Sequence, residues 1–156
     1  MLCALGRQDI GSARDIYDSM SDKVKNEPVT IFLMYKIALR CGEVELATQC
    51  LEKITSQSEN LNLLYACVLD SQQVGSKPQA LAALQAVLVK VGFDPTTSVH
   101  LPALLRVTIK LSIKVIDEAR AGHNTDRVCH HTDTLCQLFE GGEIPQRFWK
   151  FPANTS

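Results

Sequence analysis

Apolar residues recur along this chain at spacings of three and four, the period of helices that bury one face. Ile10, Ala13, Tyr17 and Met20 mark the first clear stripe and predict a helix over residues 11–20. A polar segment, 21–27, reads as a connection. Pro28 then opens a helix at N1, where its missing N–H is not needed. Residues 31–40 are apolar nearly all round, which suits a helix with neighbours on two sides, and Cys41-Gly42 ends it. Val44, Ala47, Leu51 and Ile54 form the stripe of a helix over 43–54. A helix over 61–73 follows, with Leu61, Leu64, Cys67 and Val68 inward, and it breaks at Gly75. Pro78 sits in the first turn of a helix to about residue 90, with Ala80, Leu84, Val87 and Val91 inward. Asp94-Pro95 lies in a turn over 92–97. A long helix over 101–119 starts near Pro102 and stops at Ala121-Gly122. Thr125 is the expected N-cap of a last helix to about 139, closed by Gly141-Gly142. No stretch alternates with period two for long enough to make a strand, so the expected class is all-α.

The helices come in pairs with an internal repeat. Ala13, Ala47 and Ala80 lie at offsets of 34 and 33 residues. Gly42 and Gly75 each stand five residues before their alanine. Tyr17, Leu51 and Leu84 fall four residues after it, and Met20, Ile54 and Val87 seven after it. The glycine allows a tight turn between antiparallel helices, because it alone takes positive φ without cost. The alanine suits the place where the second helix crosses the first closely, and the large residues that follow fill the groove beside it. This is the tetratricopeptide arithmetic of helix, turn and helix. It predicts a right-handed superhelix of antiparallel helix pairs over residues 1–140 and an irregular tail over 141–156. The first pair contains only half of its first helix, residues 1–7, which predicts an exposed apolar edge near Met1 to Leu5. In the fourth pair Gly122 is followed at the alanine position by Arg127, so the pattern is expected to be lost there.

Composition narrows the function classes. Of 156 residues, 46% are hydrophobic, which is too many for a disordered chain, and the formal net charge is -1. Such a balance argues against a basic nucleic-acid binder, and 6% aromatics argue against a platform for stacked bases. The most apolar stretch, 101–116, is broken by Pro102, Arg106, Lys110 and Lys114, so no membrane span is expected. Six cysteines without a C-x-x-C read as reduced thiols rather than a disulfide framework or zinc ribbon.

Candidate chemistry is sparse. Cys129, His130, His131 and Cys136 are the best metal set by composition. On one helix, however, the two histidines point about 100° and 200° away from Cys129, so they cannot wrap one ion with it. His100 at a helix start reads as a solvated or a capping residue. The chain holds no G-x-G-x-x-G, phosphate loop, H-E-x-x-H or G-x-S-x-G. The carboxylates Glu43 and Glu45, and Asp117 and Glu118, stand near helix ends, where solvation or the macrodipole accounts for them. The expectation is a protein that is not an enzyme, with no cofactor, metal or small-molecule substrate. A cysteine- or metal-dependent enzyme is the distant alternative.

Tetratricopeptide arrays bind partners on the face lined by the first helix of each pair. Counting back from the alanines, the second pair would present Phe32, Lys36, Leu39 and Arg40. The third would present Asn62, Tyr65, Leu69, Gln72 and Gln73. Basic groups beside aromatic and amide side chains can grip an extended or helical peptide. A clamp for a chain-terminal carboxylate is not expected, because Leu2 and Leu33 stand where it needs asparagines.

Four segments carry a family resemblance: ARDIYDSM at 13–20, RCGEVELATQCLEKI at 40–54, LLYACVLDSQQVGSKPQALAALQAVL at 63–88 and VHLPALLR at 99–106. Together they resemble the meiotic sporulation-protein family, also called zip-four. Its members look like long tetratricopeptide solenoids that scaffold the synapsis-initiation and crossover complex on meiotic chromosomes. The resemblance implies a nuclear, chromosome-associated scaffold whose partners are other proteins of that complex, with no direct nucleic-acid contact. The chain departs from the family pattern where it begins inside a helix pair and where the tail after Gly142 ceases to look like repeat. A general tetratricopeptide adaptor unrelated to meiosis is the alternative.

Overall fold

A computed structural model describes residues 1–57, 61–92 and 100–140. The described residues form α1 (Leu2–Gly6), α2 (Ile10–Asp18), α3 (Asp22–Lys25), α4 (Pro28–Cys41), α5 (Val44–Gln57), α6 (Leu61–Val74), α7 (Lys77–Val91), α8 (Leu101–Ala121) and α9 (Thr125–Glu140). No strand occurs among them, and the protein is all-α. The chain divides into two compact units, Met1–Lys90 and Val91–Ser156. The expected turn at Asp94-Pro95, the Gly141-Gly142 stop and the tail lie outside the described residues.

In the first unit α4 is the central element. It packs against α2, α3, α5 and α6, and α5 also meets α6. Its all-round apolar sequence follows from that position: Ile31, Leu33, Met34, Tyr35, Ile37, Ala38 and Leu39 are all buried. Pro28 stands at its start, as expected. The polar segment before it is not wholly a connection, because Asp22–Lys25 winds into one helical turn.

Among the described residues four turns close with the same hydrogen bonds. After α4, the Glu43 N–H donates to the Ala38 carbonyl at 2.9 Å and the Gly42 N–H to the Leu39 carbonyl at 3.3 Å. After α6, Ser76 donates to Ser71 at 2.9 Å and Gly75 to Gln72 at 3.0 Å. This paired 6→1 and 5→2 closure is the Schellman motif, whose penultimate residue is left-handed; Gly42 has φ 73° and Gly75 φ 80°. After α1 the same bonds join Asp9 to Ala4 and Gln8 to Leu5, with Gln8 at φ 60°. After α8 they join Asn124 to Ala119 and His123 to Arg120, with His123 at φ 54°.

The fourth turn corrects the sequence reading. The residue equivalent to Gly42 is His123, not Gly122, which has φ -81°. The position equivalent to the alanines is therefore Val128 rather than Arg127, and the turn pattern is retained. The N-cap of α9 is Asn124 instead of Thr125, since its Oδ1 accepts the Arg127 N–H at 3.1 Å. Asp9 does the same for α2, accepting from Ser12 N–H at 3.0 Å, so α2 starts at Ile10. His100 caps α8 through Nδ1, which accepts from Ala103 N–H at 3.2 Å.

Ala13, Ala47 and Ala80 are all buried, at 0%, 0% and 1% exposure. Leu51, Ile54, Leu84 and Val87 are buried beside them, while Tyr17 and Met20 are only half-buried. Val44, expected on the inward stripe of α5, is the first residue of that helix and is 53% exposed. At the amino-terminal end Leu2 and Cys3 are exposed, but Leu5 is buried where α1 packs on α2, so the expected apolar edge is only partly present.

Candidate functional site

The expected binding residues of α4 form a ladder. Phe32, Lys36 and Arg40 are successive at four-residue spacing and so share one edge of the helix. The Lys36 ammonium lies 5.4 Å from the centre of the Phe32 ring, within cation–π range. The Arg40 guanidinium donates back to the Lys36 carbonyl at 3.1 Å.

Both cations converge on a carboxylate that sequence reasoning missed. Asp70 of α6 is buried, and its Oδ1 lies 3.2 Å from Lys36 Nζ and 3.9 Å from an Arg40 nitrogen. A carboxylate in so apolar a helix needs a countercharge, since an unpaired buried anion is strongly unfavourable. One signal was available. Lys36 and Asp70 are 34 residues apart, one more than the 33-residue offset between their helix pairs, so Asp70 stands one residue after the position equivalent to Lys36, on the first helix of the next pair.

Beside this pair Tyr35 reaches across to Ser71. Their oxygens are 2.6 Å apart, and Ser71 Oγ is also 2.6 Å from the Cys67 carbonyl of its own helix. The serine has one proton, which goes to that carbonyl, so the tyrosine donates to the serine. Burial pushes the Tyr35 phenol well above its ordinary range, partly offset by the Ser71 hydrogen bond. Burial also pushes the Cys67 thiol up to about 12, and raises Cys50 in the same way. These thiols are held neutral and are poor nucleophiles.

The expected site residues on α6 are differently placed. Asn62, Gln72 and Gln73 are exposed, Tyr65 is half-buried and Leu69 is 59% exposed. Leu39 of α4 does not join them. It is buried at 7%, because the side of α4 that carries it is covered by neighbouring helices. The structure thus sets Lys36 over Phe32 and joins Lys36 and Arg40 through Asp70, while Asn62, Leu69, Gln72 and Gln73 are exposed on the adjacent helix.

Two other groups differ from their sequence reading. Glu43 is not merely solvated near a helix end: it forms a two-pronged ion pair with Arg14 of α2, the second prong being 3.1 Å long. That pairing holds the Glu43 carboxyl below its ordinary value, chiefly through the Arg14 hydrogen bond. Cys129 and Cys136 are exposed on α9, and the rings of His130 and His131 meet edge to face at 5.3 Å. Among the described residues no three metal-ligating side chains converge.

A cavity of about 240 Å³ lies between the turns at Gly42 and Gly75, with Val44 and Val74 on its wall. Gln79 also lines it. The Gln79 Nε2 group donates to Val44 O and Thr48 Oγ1, at 3.3 and 3.0 Å, which fixes the amide orientation. Its Oε1 is buried without a partner among the described residues.

Comparison of the chain with family models, with curated proteins and with solved structures returns no match.

Proposed function

We propose that this chain is a non-enzymatic protein-binding scaffold made of stacked, tetratricopeptide-like helix pairs. The observation that carries the reading is repetition. Turns closed by the same two hydrogen bonds recur at Gln8, Gly42 and Gly75, and equivalent helices touch one repeat apart through Lys36 and Asp70. Repetition of this kind turns the exposed edges of successive helices into one extended surface, on which partners can be held near one another. Phe32, Lys36 and Arg40, with Asn62, Tyr65, Gln72 and Gln73, are the proposed contact residues.

The proposed setting is the nucleus of meiotic cells, on chromosomes, with other proteins of the synapsis and crossover complex as partners. The segmental resemblance to the meiotic sporulation-protein family supports this part. Proximity labelling from the intact protein in meiotic and vegetative cells tests it. Enrichment of crossover proteins that disappears in a Leu69→Glu/Gln73→Lys variant is the expected result. The same labelled proteins in both cell states would favour a general adaptor, and a labelling pattern that ignores the variant would remove the α4–α6 surface.

A further inference from the structure

The outward face of α8 carries a row of cations. Arg106, Lys110 and Lys114 stand at four-residue spacing, so their Cα atoms are about 6 Å apart along the axis and turn only slowly around it. All three are exposed. Val107 and Ile113 flank the row on either side, at 48% and 49% exposure. The opposite side of the helix is the buried one, with Thr108, Ser112, Val115, Ile116 and Ala119. The row is therefore not the edge of a core.

Its charges are also unengaged. Elsewhere in the chain only some cations are held: Arg14 by Glu43, Lys36 and Arg40 by Asp70, and Lys25 by the Asp18 carbonyl. Among the described residues Arg106, Lys110 and Lys114 make no ion pair and no side-chain hydrogen bond. Like charges at the spacing of Arg106, Lys110 and Lys114 repel one another, which by itself disfavours a helix.

We infer that this face of α8 is a docking surface for an acidic amphipathic helix of a partner protein. A helix laid alongside with carboxylates four residues apart matches the cations pair for pair. Apolar residues between its carboxylates would cover Val107 and Ile113. Charge complementarity of this sort sets orientation and encounter rate, while the apolar flanks supply burial.

A nucleic-acid backbone fits less well. The exposed face of α8 has no aromatic ring to stack a base. An anionic membrane also fits less well, since the large apolar side of α8 is turned inward and unavailable for insertion. This surface goes beyond the α4–α6 site, and either can fail without the other.

The test uses the full chain against a displayed library of helical peptides whose surface positions vary among Glu, Lys, Gln and Leu. Selected peptides are expected to converge on Glu at four-residue spacing with Leu between. As a free peptide, the best of them should bind at least about tenfold more weakly to R106Q/K110Q/K114Q, and its affinity should fall with added salt. The charge-conserving R106K/K110R/K114R chain should bind as the wild type does. The reversed R106E/K110E/K114E chain should select Lys-bearing helices instead. Helix content by circular dichroism checks each variant, and K110Q alone gives a milder reading if the triple variants unfold. Selected peptides without acidic enrichment, or binding indifferent to the glutamine variants, would overturn the inference. So would tighter binding of single-stranded DNA, or of phosphatidylserine vesicles, that the same variants lose. Binding of the selected helix that survives Leu69→Glu/Gln73→Lys separates this surface from the α4–α6 site.

Discussion

Tyr35 donates its phenolic hydrogen to the Ser71 hydroxyl across the α4–α6 contact, and neither side chain touches water. The two residues lie 36 positions apart, and the bond joins one helix pair to the next. It is a polar joint in an apolar stack, and it fixes how α4 and α6 sit in rotation against each other.

Its asymmetry predicts unequal losses. Tyr35→Phe leaves Ser71 still donating to the Cys67 carbonyl, so only one bond disappears, at about 1 kcal/mol. Ser71→Ala leaves the buried phenol with a proton and no acceptor, at about 2 kcal/mol. Urea unfolding of the two variants should give the serine variant the lower midpoint. The reverse order would mean that the tyrosine accepts.

Alkaline pH should unfold the protein through the same cluster. Cys67 and Tyr35 both hold their protons more tightly folded than unfolded, because burial opposes the charged form. The stability they supply is whole below the ordinary thiol value of 9.0 and is lost as pH rises toward about 12. Each such group steepens the fall by about 1.4 kcal/mol per pH unit within its window. Cys67→Ala should flatten the stability curve from pH 9.0 upward, and Tyr35→Phe only from pH 10.0 upward. Thermal midpoints across that range check both.

The left-handed turn residues predict changes of opposite sign. Gln8 and His123 hold positive φ with a side chain attached, at a cost that glycine avoids. Gln8→Gly and His123→Gly should each stabilise by up to about 1 kcal/mol. Gly42→Ala and Gly75→Ala should each destabilise by about 1 kcal/mol. A Cβ at Gly42 or Gly75 meets nothing within 4 Å, so the loss there is backbone strain alone. Asparagine at either position should be tolerated better than valine. Thermal melts of these variants read this directly.

Asp70 makes its two cations unequal. Lys36→Met leaves a buried carboxylate with only the more distant Arg40, and should cost about 2 kcal/mol. Arg40→Met removes the 3.9 Å contact and should cost under about 1 kcal/mol. Adding Asp70→Asn to Lys36→Met should recover most of the loss, because the uncompensated charge is then gone. A double-mutant cycle in urea measures the coupling.

The segment 31–40 declared itself a buried helix by its apolar run, and the glycine-to-alanine spacing at 42–47 and 75–80 marked both turns. These features follow from helical period and from the freedom of glycine, which are properties of a few neighbouring residues. The joint of Lys36 with Asp70 was half visible, as a charge in one apolar helix and an opposite charge in the equivalent helix of the next pair. The left-handed Gln8 and His123 were not visible, because nothing in either side chain asks for positive φ. That conformation is imposed by the helices that must turn back on each other there.

By itself, then, the order of residues determined that this protein is helical, where its helices break and which stripe of each is apolar. Tertiary structure decided which neighbour covers each stripe. It buried Leu39 and exposed Val44, drew Arg14 to Glu43, and left the cations of α8 facing outward. Periodicity assigns a residue to a side of its own helix, whereas burial and ion pairing depend on what lies opposite that side, which only the packed chain supplies.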